Sequence, residues 1–233
     1  MTSANIGNSQ ISEFVQILTL LHSSSAFPGV ANLGATLSEQ LLHLFDQQKY
    51  GDIVFYFESD NTSVCAHKFV LTGRSEYYKT MLMHGSMHES KTGHIVISKD
   101  IKPDTFKAFL RYLYSDKLVV TISLNLLIEL LGLCHRYREH KLFRKIEFTI
   151  IECVDSETIY DILKAAHFYE ASQLSHFCKD QIIRKYWNPS WDGLESYTKT
   201  PDCPLGLLPL EMQAELKLRR DKEVVSQQLK QKP

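Results

Sequence analysis

The feature that most constrains the fold is a change of hydrophobic period after Tyr50-Gly51. Before this point the apolar residues recur at helical spacing, whereas residues 52–57 read DIVFYF, a run rich in β-branched and aromatic residues. The polar loop ESDNTS separates this run from Val64-Cys65-Ala66, so the pattern predicts two short paired strands. Helical periodicity flanks these strands on both sides, and the sequence therefore predicts an α+β fold with a small sheet surrounded by helices.

The helices around this sheet have recognisable starts. Thr36 and Glu39 fit a capping box, in which each side chain accepts a hydrogen bond from the other residue's backbone N–H, and a helix is predicted from about 37 to 48. Pro103 suits the first turn of another helix. Two short helices are predicted at 68–71 and 75–83, and a third strand at 94–97. Longer helices are predicted at 103–113 and within 124–151.

The C-terminal part of the chain is predicted to be helical with one irregular stretch. Two apolar stripes between about 155 and 187, joined by residues 170–172, predict a helical hairpin. Four prolines then lie between Pro189 and Pro209, and a last helix is predicted to follow Pro209, with Glu215 and Arg219 as an i,i+4 pair. We predict four regions: 1–35, a helix and a linker; 36–153, the α+β domain; 154–188, the hairpin; and 189–233, a Pro/Gly-rich segment and a helix.

Composition excludes several classes of function. The 233 residues carry 26 Lys+Arg against 27 Asp+Glu, a net charge of -1, which lacks the basic excess of a nucleic-acid or membrane-surface binder. No run of the N-terminal sequence resembles a signal peptide or a membrane span. The five cysteines are an odd number without paired spacing, which favours a reducing compartment, so cytoplasm or nucleus is expected.

The sequence also lacks the patterns of common catalytic and metal sites. It has no glycine-rich phosphate loop and no G-x-S-x-G turn, so we expect neither an enzyme nor a cofactor. His84 and His88, Cys65 and His67, and Cys134 and His135 are close pairs, but none has a second pair at zinc-site spacing. We therefore expect no metal, and we expect the cysteines to be small buried apolar residues.

The order of motifs in residues 50–115 is specific. YGDIVFYF is followed by AHKFVL, RSEYYKTM, MHES, IVI and Phe106-x-x-Phe109-Leu110-x-Tyr112-Leu113-Tyr114. This succession resembles the BTB/POZ domain, and the resemblance covers about residues 36–153. It implies the family fold, a small mixed β-sheet flanked by α-helices.

The resemblance implies a homodimer and a charged pocket. The first helix is similar to the dimerisation helix of the family, which places Leu37, Leu41, Leu42, Leu44 and Phe45 at a dimer interface. The alternative is a monomer whose first helix covers only its own core. In some relatives the positions of Asp52, His67 and Lys68 line a charged pocket at the dimer centre. A buried Asp52 would need one of these cations as its partner, and the alternative is a solvated Asp52 at the start of the strand.

Met87-His88-Glu89 matches a motif of BTB proteins that recruit cullin-3. In those proteins a hydrophobic-x-Glu sequence lies in the loop between the third helix and the next strand. An exposed Met87 could fill an apolar pocket of the partner, and Glu89 could accept a hydrogen bond at its edge. Tyr114 would add a rim contact. The alternative is that Met87 only packs under its own loop.

The hairpin at about 155–187 resembles the start of the BACK region that follows BTB in such adaptors. The resemblance implies a dimeric adaptor that recruits a client to a cullin-3 RING ubiquitin ligase. The alternative is an oligomerisation scaffold in transcriptional or cytoskeletal complexes that does not bind cullin. No kelch, zinc-finger or MATH pattern is visible, so the client is unknown. Residues 1–35 either end a larger repeat array or pack on the hairpin.

Overall fold

The computed structural model describes residues 36–47, 51–83, 87–118, 123–191 and 203–230, with the backbone alone for 227–230. The chain divides into two units, Met1–Leu41 and Leu42–Pro233. In the first unit only residues 36–41 are described, and they form the start of the first helix.

Ten helices and three strands are found in the described residues. The strands are β1 (Ile53–Phe57), β2 (Thr62–Ala66) and β3 (His94–Ile97). The helices before and between them are α1 (Leu37–Leu44), α2 (Lys68–Arg74), α3 (Glu76–Met83) and α4 (His88–Thr92). The helices that follow are α5 (Pro103–Ser115), α6 (Leu124–Tyr137), α7 (His140–Glu152), α8 (Ile159–Phe168), α9 (Ser172–Gln181) and α10 (Leu210–Lys230).

The sheet is mixed, in the order β2-β1-β3. β1 is antiparallel to β2 and parallel to β3, so that Phe55 lies opposite both Val64 and Ile95. Alternation along β1 buries Phe55 and Phe57, while Tyr56 is exposed on the other face. Both buried rings meet Phe106 of α5 edge to face, with ring centres 5.0 and 5.6 Å apart. This contact joins the sheet to the helices, and the small mixed sheet flanked by helices is as predicted.

The capping box of α1 is confirmed. The Glu39 carboxylate accepts from the Thr36 N–H at 2.8 Å, and the Thr36 hydroxyl accepts from the Glu39 N–H at 3.3 Å. The prediction that the helix runs to about 48 is wrong, because α1 ends at Leu44. Asp46 has left-handed backbone geometry (φ 62°), and its carboxylate accepts from the Cys65 N–H at 3.1 Å. The chain therefore turns away from the helix after Leu44, and the side chain of Asp46 contacts β2.

The helical hairpin is present as α8 and α9, joined by residues 169–171. Glu170 adopts left-handed geometry at the turn, with φ 57°. The N-terminus of α9 follows Ala171, whose side chain cannot cap it. Glu147 of α7 supplies the missing acceptor instead: its carboxylate accepts from the Gln173 and Leu174 N–H groups, both at 3.2 Å. The carboxylate of Glu147 therefore fixes the N-terminus of α9, and with it the hairpin, against α7.

The last helix packs on the hairpin. Met212 and Leu216 of α10 are buried. Lys179 of α9, also buried, donates to the Glu215 carboxylate at 2.6 Å. The predicted pair within α10 is confirmed, with Glu215 and Arg219 3.0 Å apart. Between the hairpin and α10 the described residues contain the 3-10 turns Pro189–Trp191 and Pro204–Leu207.

The cysteines are unpaired, and one prediction about them is wrong. Cys65, Cys134, Cys178 and Cys203 are buried as expected, but Cys153 is exposed at the end of α7. In the described ranges no group of three or more His, Cys, Asp or Glu residues could hold a metal ion. No helix in the same ranges is long and apolar enough to span a membrane. The helix predicted within 1–35 and the role of His84 lie outside the described residues.

Candidate protein-docking surfaces

Met87 and Glu89 lie at the start of the short helix α4, Met87 directly before it and Glu89 in its first turn. Met87 is the residue before the first turn, has extended geometry (φ -78°, ψ 146°) and is 49% exposed. Glu89 lies in the first turn, where a negative charge is favoured by the helix dipole, and is half-buried. Met87 thus presents a flexible apolar side chain to solvent, with a carboxylate two residues away.

The backbone around α4 is held on both sides. The Ser90 hydroxyl donates to the Leu82 carbonyl of α3 at 2.8 Å. Gly93 ends α4 in left-handed geometry (φ 69°), and its carbonyl accepts from the Val54 N–H of β1 at 2.7 Å. A Cβ atom at Gly93 would lie 2.5 Å from the Asp52 carbonyl oxygen, so only glycine fits. Met87 therefore projects from a fixed support.

Tyr114 occupies a different environment from the one expected of a rim contact. Its side chain is 3% exposed, and its ring meets Phe45 edge to face at 5.2 Å. Its hydroxyl oxygen accepts from the His67 N–H at 2.8 Å and lies 2.8 Å from His67 Nδ1. Burial raises the pKa of the Tyr114 hydroxyl, which therefore stays protonated. Tyr114 therefore holds His67 in the core and has no free surface for a rim contact.

The three residues of the expected charged pocket are neighbours, but their contacts differ from an ion pair. The exposed Asp52 carboxylate accepts from the backbone N–H of Lys68 at 2.6 Å, at the first residue of α2. Among the described residues no ion pair joins Asp52 to the side chain of His67 or Lys68. Asp52 is thus exposed directly before β1, as in the solvated alternative, and its carboxylate also serves as an acceptor for the start of α2.

The residues expected at a dimer interface are each exposed or half-buried. No residue of α1 is buried, and Leu37 and Leu42 are 72% and 38% exposed. Leu41 and Leu44 are half-buried. Phe45, one residue beyond the helix, is also half-buried and contacts Tyr114, with the Arg111 guanidinium 5.7 Å from its ring centre. Leucines exposed at these levels on one short helix are typical of an interaction surface.

A cleft of about 450 Å³ lies where the hairpin meets the rest of the fold. Its walls are the segment 100–105, the outer face of α6, and Phe168 and Tyr169 at the end of α8. Gly132 of α6 lets the hairpin approach, because a Cβ atom there would lie 2.8 Å from the Tyr169 ring. Phe168 is 76% exposed at the rim. Along the chain, Met87 precedes β3, and the first residues that line the cleft follow that strand.

Sequence reasoning missed two residues that shape this region. Glu147 is fully buried and fixes α9, yet it reads as an ordinary charged residue in a helical pattern. Gly132 lies inside a helix, where glycine is unfavourable, and this placement was a signal of a close helix contact. Both residues hold the hairpin against the preceding helices.

A protein-family model for the BTB/POZ domain matches residues 41–154. This range contains the sheet and the helices from the middle of α1 to the end of α7. The match ends before the hairpin.

Several curated proteins are similar to the chain. BTB/POZ domain-containing protein 9 from Drosophila melanogaster is 28% identical over 153 residues, which are 65% of this chain and 20% of that protein. The Homo sapiens protein of the same name is 24% identical over 143 residues, 61% of this chain and 23% of that protein. Rabankyrin-5 from Mus musculus is 27% identical over 145 residues, 62% of this chain and 12% of that protein. The chain thus spans less than a quarter of the length of these relatives.

Proposed function

Because residues 41–154 form a BTB/POZ domain, a module for protein–protein interaction, we propose that this chain is a dimeric adaptor that recruits a client to a cullin-3 RING ubiquitin ligase. The observation that carries the proposal is the exposed Met87 with Glu89 at the start of α4, between α3 and β3. These are the residue types and the location of the cullin-binding motif in BTB adaptors. The alternative that Met87 packs under its own loop is disfavoured by its 49% exposure.

The physical basis of the contact is a small apolar anchor beside a hydrogen-bond acceptor. Met87 can adapt to an apolar pocket because its side chain is unbranched and polarisable. Glu89 can accept hydrogen bonds from donors at the rim of that pocket. Gly93 and Ser90 hold the backbone of α4, so little conformational freedom is lost on binding. Such a preorganised pair is suited to act as a binding hot spot.

The hairpin α8–α9 supports a second contact. We assign it to the BACK-like region, and the cleft beside Phe168, which is lined by charged side chains such as Lys102, Glu129 and Arg136, is suited to a polar segment of the cullin. Glu147 and Gly132 fix the position of the hairpin relative to α6 and α7. A fixed hairpin keeps the cleft open without a partner, which favours binding.

The adaptor would act through proximity. Binding a client and a ligase on one scaffold raises the effective concentration of the client near the site of ubiquitin transfer. No bond chemistry is required of the chain itself. Dimerisation through α1, with Leu37, Leu41, Leu42, Leu44 and Phe45 at the interface, would present two such scaffolds in one particle.

Purified chain and the cullin-3 N-terminal domain, mixed in a calorimeter, test this proposal. We expect the wild type to bind, and we expect Met87→Ala with Glu89→Ala to weaken binding by more than tenfold. A matched control is Leu210→Ala with Glu211→Ala, an exposed Leu–Glu pair at the start of α10, which should bind like the wild type. An unaffected Met87/Glu89 variant would contradict the proposal.

The second candidate is an oligomerisation scaffold in transcriptional or cytoskeletal complexes that does not bind cullin. The exposed leucines of α1 support it, because self-association through them requires no cullin. A wild-type chain that forms dimers but gives no heat with the cullin domain would establish the scaffold as the better description.

A further inference from the structure

The end of α6 and the first two turns of α7 carry a group of basic residues, which we call the α7 basic cluster: Arg138, His140, Lys141, Arg144 and Lys145. All five side chains are exposed. The chain as a whole has a net charge of -1, so its positive charge is distributed unevenly. The cluster lies at the end of α7 where the backbone dipole is positive, and Glu139, directly before the helix, is its acidic neighbour in the chain.

Three carboxylates lie near the cluster, and the cations outnumber them. Glu139 is half-buried between Arg138 and His140 in the chain. Glu147 accepts from the amides of α9 as well as from Arg144, whose Nη1 is 3.3 Å away. Asp116 pairs with Arg74 at 2.7 Å. Among the described residues neither Lys141 nor Lys145 has a carboxylate at ion-pair distance. The cluster therefore keeps a net positive charge.

The cations border an open, shallow cleft between α5 and α7. The cleft has a volume of about 450 Å³, and Tyr112 and Asp116 line it on the side of α5; we call it the Tyr112 cleft. Lys145 is held at its edge: its Nζ lies 5.1 Å from the centre of the Tyr112 ring and donates to the Asp116 carbonyl at 2.9 Å. Lys141 and Arg144 line the same cleft. Three cations thus border one shallow site, in which the Asp116 carboxylate is paired with Arg74.

We propose that the Tyr112 cleft binds a phosphorylated serine or threonine in a segment of a partner protein. A phosphate dianion complements several cations that border one site, and Arg and Lys clusters recognise phosphorylated motifs in this way. Phe148 is 58% exposed one turn further along α7 and offers an apolar contact to a residue that flanks the phosphorylated one. This binding does not depend on the cullin proposal, since it uses other residues.

The observations favour a peptide over a nucleic acid or a membrane. Nucleic-acid binders neutralise several phosphates along a groove or stripe, whereas these cations are confined to a single helix end. A membrane-surface helix exposes a broad apolar face, but the apolar face of α7, with Leu142, Ile146 and Ile150, is buried in the core. A compact cleft with one exposed aromatic side chain beside it fits a short peptide segment.

The test is retention of two peptide libraries on the immobilised 233-residue chain. One library has a fixed phosphoserine or phosphothreonine with mixed flanking residues, and the other has unphosphorylated Ser or Thr. We expect at least tenfold greater retention of the phosphorylated library, decreasing as salt is raised. Equal retention of the two libraries would overturn the proposal, as would tighter binding of a DNA duplex or of phosphatidylserine vesicles.

Two variants locate the site. Lys141→Glu changes an exposed side chain that makes no ion pair, and it should reduce retention of the phosphorylated library at least tenfold. Lys145→Met keeps the aliphatic stem over the Tyr112 ring and removes the charge, and it should reduce retention in the same direction. Lys99→Glu, an equal charge change at an exposed position between β3 and α5, is the matched control and should bind like the wild type. Wild-type retention by a folded Lys141→Glu variant, verified by circular dichroism, would refute the assignment.

Discussion

At the scale of single residues, Glu147 shows how a charged side chain can hold two elements together. Its carboxylate is fully buried, and it serves as the N-terminal cap of a helix that begins 25 residues later in the chain. The two amides it binds have no other acceptor, because Ala171 lacks a polar side chain. Buried donors left without a partner are costly, so the position of α9 depends on this one carboxylate.

We predict that Glu147→Ala lowers the free energy of unfolding by about 2–4 kcal/mol, because the buried Leu174 amide and the part-buried Gln173 amide lose their acceptor. Urea unfolding, followed by far-UV circular dichroism, measures this change. Glu147→Gln keeps one carbonyl oxygen for the amides and should cost less than the alanine variant. Glu76→Ala, an exposed glutamate on α3, is the control and should stay within about 0.5 kcal/mol of the wild type. An alanine variant at position 147 as stable as this control would show that water replaces the carboxylate.

Asp100 and Arg136 form a pair at the wall of the cleft beside the hairpin. The hydrogen bond from the Arg136 guanidinium, with help from Ser98, lowers the pKa of Asp100 from its ordinary value of 3.8 to about 2. Because the folded-state pKa is the lower one, the stabilisation is present above about pH 4 and is lost as the pH falls towards 2. We predict that Arg136→Gln raises the pKa of Asp100 towards 3.8, as measured by carboxyl-carbon NMR titration. Arg219→Gln, remote from this pair, should leave that pKa unchanged, and an unchanged value in Arg136→Gln would contradict the assigned cause.

Residue contacts were predictable from the sequence where they are local. Thr36 and Glu39 are three positions apart, so their spacing alone specifies a capping box. The hydrogen bonds of Glu147 connect it to residues 26 and 27 positions further along the chain. Nothing in the sequence near Ala171 indicates which side chain caps the helix. Asp52 was ambiguous for the same reason, since its partner is a backbone N–H rather than a cation.

At the scale of elements, periodicity identified the strands and most helices because each has one buried face. The end of α1 was missed because residues 45–48 contain no glycine or proline to mark a helix end, while the Asp46–Cys65 hydrogen bond, a tertiary contact, turns the chain. The sequence pattern also predicted that the second helix of the hairpin continues to about 187, whereas α9 ends at Gln181 and a π-helical turn follows at Ile182–Tyr186. Such changes depend on packing against other elements and leave no periodic signal.

Helix α10 offers a test of how firmly the C-terminal element is joined to the hairpin. Leu216 is fully buried, whereas Leu218, on the same helix, is 55% exposed. We predict that Leu216→Ala costs about 2–5 kcal/mol, because a cavity forms where α10 packs on the core. Leu218→Ala, the same chemical change, should cost no more than about 0.5 kcal/mol. Thermal or urea unfolding of both variants measures the difference, and two equal losses would mean that α10 packs differently from the arrangement described.

At the scale of the whole molecule, different surfaces carry the different proposed contacts. The α1 surface is apolar, Met87 and Glu89 combine an apolar side chain with a carboxylate, and the α7 basic cluster is cationic. The near-neutral net charge does not reveal this arrangement, because it sums the charges of all surfaces and carries no information on where each charge lies in the fold. The BTB/POZ domain was predictable from the order of its motifs, whereas the positive cleft was not, since it needs Tyr112 of α5 beside α7.

Self-association through α1 is the property that the whole molecule should show most directly. Leu42 is 38% exposed on a helix that buries none of its residues, and burying such leucines against a second copy removes apolar surface from water. We predict that the wild type sediments as a dimer in analytical ultracentrifugation, and that Leu42→Asp sediments as a monomer, because an interface cannot bury an unpaired charge. Leu218→Asp introduces the same charge at an exposed leucine of α10 and should remain dimeric. If Leu42→Asp also remains dimeric, the interface lies elsewhere, and if the wild type is monomeric, the exposed leucines of α1 do not mediate self-association.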